Sequence, residues 1–203
     1  MNELLKMTAH QVKEGKFDKV ILAIGSCEAH GQHLAEGCDT IVSYELSKQV
    51  ADRVPGMLVL PPITVGYSGH YDTFPFTLTF DYETMIHVIY DIVESVLRNG
   101  INKIFLMNGH DGNIAPIEIA ARKIKEKYPD ARIASLPEWW VIAGKLVPEG
   151  TFAVWNGLGH AGEGETSIAY HLFPQWCEPD QATCVVPDHL PEHVDIKWDF
   201  AEI

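Results

Sequence analysis

Short apolar runs alternate with amphipathic stretches along most of the chain. Lys19-Val20-Ile21-Leu22-Ala23-Ile24-Gly25 is continuous, rich in branched aliphatics and closed by glycine, which predicts a buried strand. Thr40 to Val54 follows with Val42, Leu46, Val50 and Val54 at four-residue spacing, a helix that Asp39 or Thr40 would cap and Pro55-Gly56 would end. Met57-Leu58-Val59-Leu60 predicts a second strand. Tyr82 to Asn99 carries the stripe Met85, Ile86, Ile89, Ile92, Val93, Val96 and Leu97, with Asp81 as N-cap and Gly100 as stop signal. Lys103 to Met107 is a third strand. Ile114 to Tyr128 is a helix with Ile117, Ala121, Ile124 and Tyr128 on one face, and Ala131 to Leu136 is a fourth strand. Ala161 to His171 predicts a short helix with Glu163 and Glu165 in its first turn. This alternation predicts a layered α/β fold, a parallel-dominated central sheet with helices on both faces. No repeat or interdomain linker interrupts it, so residues 1–203 are expected to form one domain.

Composition narrows the function classes. The chain is 46% hydrophobic and 21% charged without a low-complexity tract, as globular domains are. A formal charge of −13 argues against nucleic acid or an anionic membrane as the main partner. The start Met1-Asn2-Glu3-Leu4-Leu5-Lys6 lacks a basic-then-apolar pattern, and no apolar stretch reaches the ~18 residues that span a bilayer. A cytoplasmic location is therefore expected. Cys27, Cys38, Cys177 and Cys184 show no Cys-x-x-Cys spacing and are expected as reduced thiols.

The chemistry gathers where strands end. Glu28, His30 and Asp39 follow the first strand, and open α/β sheets place their ligand crevices at the carboxyl ends of strands. In extended backbone Glu28 and His30 share a side. Two carboxylates and an imidazole form a mixed oxygen and nitrogen set suited to Zn, Mn or Fe. Alone, a Glu-x-His is commonplace. A second cluster, Asn108-Gly109-His110-Asp111-Gly112-Asn113, follows the third strand, and a third is Gly159-His160-Ala161-Gly162-Glu163-Gly164-Glu165. Packing alone does not explain three glycine-flanked clusters of this kind. Cys27 and Cys38 flank the first set, but the harder ligands beside them already suffice.

These clusters, in this order, resemble the creatininase (creatinine amidohydrolase) family over most of the chain. The signature Gly25-Ser26-x-Glu28-x-His30-Gly31-x-His33-Leu34 with Gly37-x-Asp39-Thr40 is followed by Gly66-Tyr67-Ser68-x-His70 and Phe74-Pro75. Asn108-Gly109-His110-x-Gly112-Asn113 and His160-Ala161-Gly162-Glu163-x-Glu165-Thr166 complete it. The resemblance implies a two-metal hydrolase, usually a homo-oligomer, with a hexamer favoured. Carried over position by position, Glu28 and His110 would bind one divalent ion, His30 the other, and Asp39 would bridge them. In creatininase the last ligand is a glutamate two residues after the histidine of the third motif, where this chain has Gly112. Glu165 is the natural replacement and Asp111 a weaker one. His160 matches the family's active-site histidine, and Ser68 a substrate-contacting serine. His70, Asp111 and Trp155 are assigned with Ser68 to the substrate side, and His33, Asn108 and Asn113 to the hydrogen bonds that orient ligands. Two departures stand out. Phe76 follows Phe74-Pro75 where relatives often have glycine, and the chain stops at Trp198-Asp199-Phe200-Ala201-Glu202-Ile203, where the family usually continues into a glycine-rich tail.

Two divalent ions ~3.5–4 Å apart can share a water and lower its pKa toward neutrality. His160 would then pass a proton to the leaving nitrogen, with Glu163 as the second candidate for that transfer. The expected activity is hydrolysis of a C–N bond in a small cyclic amide or formamide. Hydrolytic opening of an inosose-type ring ketone on the same metals is the competing enzyme reading, and a non-catalytic metal-binding subunit is the competing reading from another class.

Overall fold

The computed structural model describes residues 2–154 and 157–184. Trp155 and the segment 198–203 singled out above lie outside them. The elements in chain order are α1 (Ala9–Glu14), β1 (Lys19–Ile24), α2 (Cys38–Arg53), β2 (Met57–Val59), α3 (Tyr82–Arg98), β3 (Lys103–Asn108), α4 (Ile114–Lys127), β4 (Arg132–Leu136), α5 (Trp139–Leu146) and α6 (Glu163–Leu172). The strands form one sheet in the order β2-β1-β3-β4, and every pairing is parallel. The α/β architecture expected from the sequence is the one observed.

Alternation along the strands sorts their side chains to two faces. Val20, Leu22, Ile24, Ile104 and Leu106 pack with Met85, Ile89 and Val93 of α3 and Ile117 and Ile124 of α4. Ile21, Met57, Val59 and Met107 face the other way, onto Ala51 of α2. Leu22 and Ile24 are fully buried, and each such side chain contributes about 1.5–3 kcal/mol of transfer free energy. On its outer side α2 meets α5 and α6 through Val42, Trp139, Ala169 and Phe173.

The topology fixes where a ligand crevice opens. From β1 the chain moves to β2 on one side and then returns to β3 on the other. The connecting helices α2 and α3 therefore lie on opposite faces, and their ends part above the carboxyl ends of β1 and β3. Two local expectations change. Helix α2 begins at Cys38 behind Gly37, so Asp39 lies within the first turn and is not its cap. Helices α1 and α5 are additions that the hydrophobic pattern did not reveal.

Candidate active site

At its carboxyl end β1 runs against α2. A Cβ on Gly25 would lie 2.4 Å from the Cα of Thr40, so only glycine permits this approach, which carries Asp39 to the loop bearing Glu28 and His30. That loop is closed by a hydrogen bond from Glu28 N–H to the Glu36 carbonyl (2.9 Å). His110 arrives from the neighbouring strand end, since β3 pairs with β1 as far as Ile24 and Asn108.

The four side chains meet although His110 lies far along the chain. Asp39 Oδ1 is 2.9 Å from His30 Nε2, and Asp39 Oδ2 is 3.1 Å from His110 Nδ1. One carboxylate therefore stands between two imidazoles with one oxygen toward each. Glu28 Oε1 is 3.2 Å from His110 Nδ1 and 3.8 Å from His160 Nδ1. Glu28, His30, Asp39 and His110 are all buried. Ser26 Oγ donates to Asp39 Oδ2 at 2.7 Å.

Each imidazole is anchored by its other nitrogen. His30 Nδ1 faces the Glu28 carbonyl (3.1 Å), His110 Nε2 the Tyr67 carbonyl (2.6 Å) and His160 Nε2 the Ala29 carbonyl (2.5 Å). A carbonyl only accepts, so each anchoring nitrogen donates its N–H. The remaining nitrogen of a neutral ring is then a lone pair aimed at carboxylate oxygens. Acceptor facing acceptor requires a cation between them, either a proton or a metal ion. Both carboxylate oxygens of Glu28 are also buried without a hydrogen-bond partner. The donor set fits a divalent metal on these grounds. Glu28, His30 and His160 lie within ligating reach of one another, as do Glu28, His70 and His110. His30, Cys38 and Asp39 form a further such set, but burial holds the Cys38 thiol well above its usual pKa and hence protonated.

The ionisation states follow from this crowding. Burial opposes charge on His30, but the adjacent Asp39 carboxylate overrides it and lifts the imidazole to about 10. His110 rises to about 9 against the same penalty, through its bond to Asp39 and the charge of Glu28. Burial opposes ionisation of Asp39 too, yet the two imidazoles hold its carboxyl well below the usual range. Burial raises Glu28. Burial, joined by the positive charge of His30, drives His160 down to about 3, so it is a neutral acceptor at physiological pH.

The other predicted residues take distinct places. Asn108 Nδ2 donates to the His110 carbonyl (2.7 Å) and to Pro137 (2.9 Å), while its Oδ1 accepts from His110 N–H (3.2 Å). Asn113 bonds to the Gly25 carbonyl at 2.9 Å and to Tyr67 N–H at 3.0 Å, tying the end of β1 to the residue that anchors His110. His33 bonds to Thr166 Oγ1 (2.8 Å) and joins the first motif to α6. Glu165 Oε2 accepts from Ala161 N–H at 2.8 Å, and burial lifts its carboxyl to about 7. Glu163 is exposed and its carboxylate holds the N–H groups of Ala153 (2.9 Å) and Val154 (2.8 Å), away from the cluster. Ser68 is fully buried with its hydroxyl unpartnered. His70 lies parallel to His110 at 5.6 Å between centroids.

A cavity of about 180 Å³ opens over this cluster. Asp39, His110, His160 and Glu165 line it with His70, Tyr71, Asp111 and Trp140. A larger open groove of about 790 Å³ between α4 and β4 has none of these donors. Sequence reasoning missed Tyr71, which is buried and stacked on His160 at 4.3 Å and 24°. Its position in the Tyr67–Phe76 loop was the available signal. Nothing in a sequence marks the carbonyls of Ala29 and Tyr67 as anchors. Among the described residues no helix is long and apolar enough to cross a membrane.

Known proteins resemble this chain in sequence and fold. A creatinine amidohydrolase of Pseudomonas putida is 31% identical over 187 residues, covering 85% of this chain and 69% of its own length. A mycofactocin precursor peptide peptidase of Mycobacterium ulcerans is 27% identical, covering 86% of this chain and 66% of its own. A manganese creatininase structure superposes with a TM-score of 0.79 at 27% identity, over 99% of this chain and 84% of that one. Mutant creatininases described as Zn–Zn type and as complexed with creatine superpose at 0.77 and 0.78, with 28% and 27% identity. Both cover 98% of this chain, and 83% and 84% of their own. The creatininase family model, described as creatinine amidohydrolase, matches residues 5–203, and the chain belongs to this family of metal-dependent hydrolases.

Proposed function

We propose that this chain hydrolyses a C–N amide bond of a small cyclic amide or formamide, with two divalent ions held by Glu28, His30, Asp39, His110 and Glu165. The observation that carries the reading is the placement of Asp39, with one oxygen on His30 and the other on His110. Such a carboxylate suits a pair of ions better than a single one. Manganese and zinc in the related structures support a divalent metal, with iron compatible with the same donors. Bound there, the ions would supply an activated water and Lewis acidity toward the substrate carbonyl.

The chain's own residues do the rest. Glu28, Asp39 and the anchored imidazoles hold their donor atoms fixed, so little reorganisation is needed at reaction. His160 is neutral, with Nε2–H held by Ala29 and Nδ1 open toward Glu28. Because its basicity is low, it would carry the proton only in passing from the attacking water to the departing nitrogen, since a weakly basic ring gives a proton up readily. Tyr71, stacked on the ring, keeps that nitrogen aimed. Cavity walls from His70, Trp140 and Leu158 limit the space to a compact group around the scissile bond. Glu163, bound to backbone on the surface, is not needed for this step.

Metal analysis of the purified protein, joined to a screen of lactams, cyclic amides and formamides, tests the reading. Two ions per chain and turnover of at least one compound are expected. His160→Ala is expected to keep both ions and lose ~10²–10⁴-fold in turnover. Loss of metal together with activity would make His160 a ligand instead.

A further inference from the structure

The turn from Tyr67 to Tyr71 enters the candidate site twice. The carbonyl of Tyr67 receives Nε2–H of His110 (2.6 Å) and so sets the direction of that imidazole. Further along the same turn His70 lines the cavity, its ring nearly parallel to that of His110 at 5.6 Å and 14°. Bonds that do not involve His70 hold the turn in place. Tyr67 N–H donates to Asn113 Oδ1 (3.0 Å), Ser68 N–H to Thr79 Oγ1 (2.8 Å) and Tyr71 N–H to the Ser68 carbonyl (2.9 Å). Gly112 admits the turn this close to His110, since a Cβ there would lie 2.2 Å from the Tyr67 carbonyl oxygen. One fastened turn therefore orients one imidazole through its backbone and presents a second through its side chain, the kind of support that ligation needs.

A ring nitrogen of His70, a carboxylate oxygen of Glu28 and a ring nitrogen of His110 lie within 4.8 Å of one another. Bonds of ~2.0–2.2 Å to one ion place two of its donors ~3–4.4 Å apart, so a small side-chain rotation closes this trio on a common ion. Both oxygens of Glu28 are buried without a hydrogen-bond partner, which marks the space between the three as a place for a cation. His160 also reaches toward Glu28, but from the other side of the cluster. Its ring packs on His30 at 4.3 Å, whereas His70 packs on His110. The two imidazole pairs thus sort to the two oxygens of Asp39, Oδ1 facing His30 and Oδ2 facing His110.

We infer that His70 is a metal ligand, which with Glu28, His110 and one oxygen of Asp39 completes a site of two imidazoles and two carboxylates at the exit of β3. The inference rests on the two-metal reading and adds to it a residue whose motif alone places it on the substrate side. It makes the two ion sites unlike. The His70 site has two nitrogen donors, while the site of His30, Asp39 and Glu165 has one. Imidazole suits zinc and carboxylate suits manganese, so the His70 site is the more zinc-selective of the pair.

The test titrates zinc, and separately manganese, into the chelator-stripped full chain against a competing chelator, without substrate. The unaltered protein is expected to bind two zinc ions. His70→Ala and His70→Gln are each expected to weaken one of them about 100-fold and to leave the other within about threefold. Manganese at the same site should weaken less, by about tenfold. His70→Gly should regain most of its lost zinc affinity when imidazole is added, relative to the unaltered protein in the same buffer. Free imidazole refills a missing ligand but does not repair a displaced loop. A loss of zinc that imidazole leaves unrepaired therefore overturns the inference and makes the role of His70 one of holding the turn. Two ions bound with unaltered affinity by His70→Ala and His70→Gln also overturn it, return His70 to the substrate side and leave the two-metal reading standing. A single ion, lost on substitution and regained with imidazole, would count against the two-metal reading and keep His70 as a ligand. An unaltered protein that binds neither zinc nor manganese overturns both.

Discussion

Gly112 bears on which carboxylate would complete the proposed metal site. A Cβ at this position would lie 2.2 Å from the Tyr67 carbonyl oxygen and 2.7 Å from His110 Nε2, the two atoms of the anchoring bond. The backbone therefore leaves no room for a glutamate there without displacing the anchor of His110. Glu165 lines the cavity from α6, is partly buried, and has one oxygen on Ala161 N–H. Asp111 also lines the cavity but is exposed, where water competes for a cation. Glu165→Ala is therefore expected to lose at least one of the two ions, and Asp111→Ala to keep both, as read by metal stoichiometry after dialysis. Retention of both ions in Glu165→Ala would refute the assignment. Ala161, whose N–H holds Glu165, has φ of 52°, so backbone strain stands next to this carboxylate.

At the scale of elements, stability and chemistry separate. Asp81 caps α3 by accepting from Thr84 N–H (2.6 Å), and it lies outside the cavity wall. Asp81→Ala is expected to cost ~0.5–2 kcal/mol of stability by denaturant melting, with turnover per folded molecule unchanged. A fall in turnover larger than the loss of folded protein would show that α3 bears on the site. The cap of α3 and the strands were legible because continuous apolar runs, glycine stops and capping residues leave local marks. Helix α1 was not, since it spans six residues without a buried side chain and its one mark is the Thr8–Gln11 capping box. Helix α5 begins Trp139-Trp140-Val141-Ile142-Ala143, apolar throughout, so no period shows. The site was legible as clusters of donors at strand ends. How they face one another was not, because it depends on backbone carbonyls and on the approach at Gly25. Glu163 and Glu165 illustrate the limit. The two acids share one helical turn and lie two residues apart, yet one holds the 153–154 backbone and the other lines the cavity.

Across the whole molecule, the cluster draws its members from the exits of β1 and β3 and from the first turns of α2 and α6. Ion binding therefore couples several layers of the fold, and its pH dependence carries a definite sign. His30 and His110 stand at about 10 and about 9, above their ordinary value of 6.5, so without metal both are protonated near neutrality. The stability that these charges contribute is complete below about 6.5 and is lost as pH rises through about 9 and 10. Glu165, raised from 4.5 to about 7, adds a loss of the same direction at lower pH. The metal-free protein is thus expected to melt at a lower temperature at pH 10 than at pH 7. Metal binding must displace the two imidazole protons, so affinity should move the opposite way. Its logarithm is expected to rise by about two per pH unit between pH ~7 and ~9. Chelator competition across that range measures the slope, and calorimetry in buffers of different ionisation heat counts the protons released. An affinity independent of pH would show that His30 and His110 are already neutral in the metal-free protein. The carboxylates Glu28 and Asp39 would then face lone pairs with nothing between them, an arrangement that a buried cluster cannot hold.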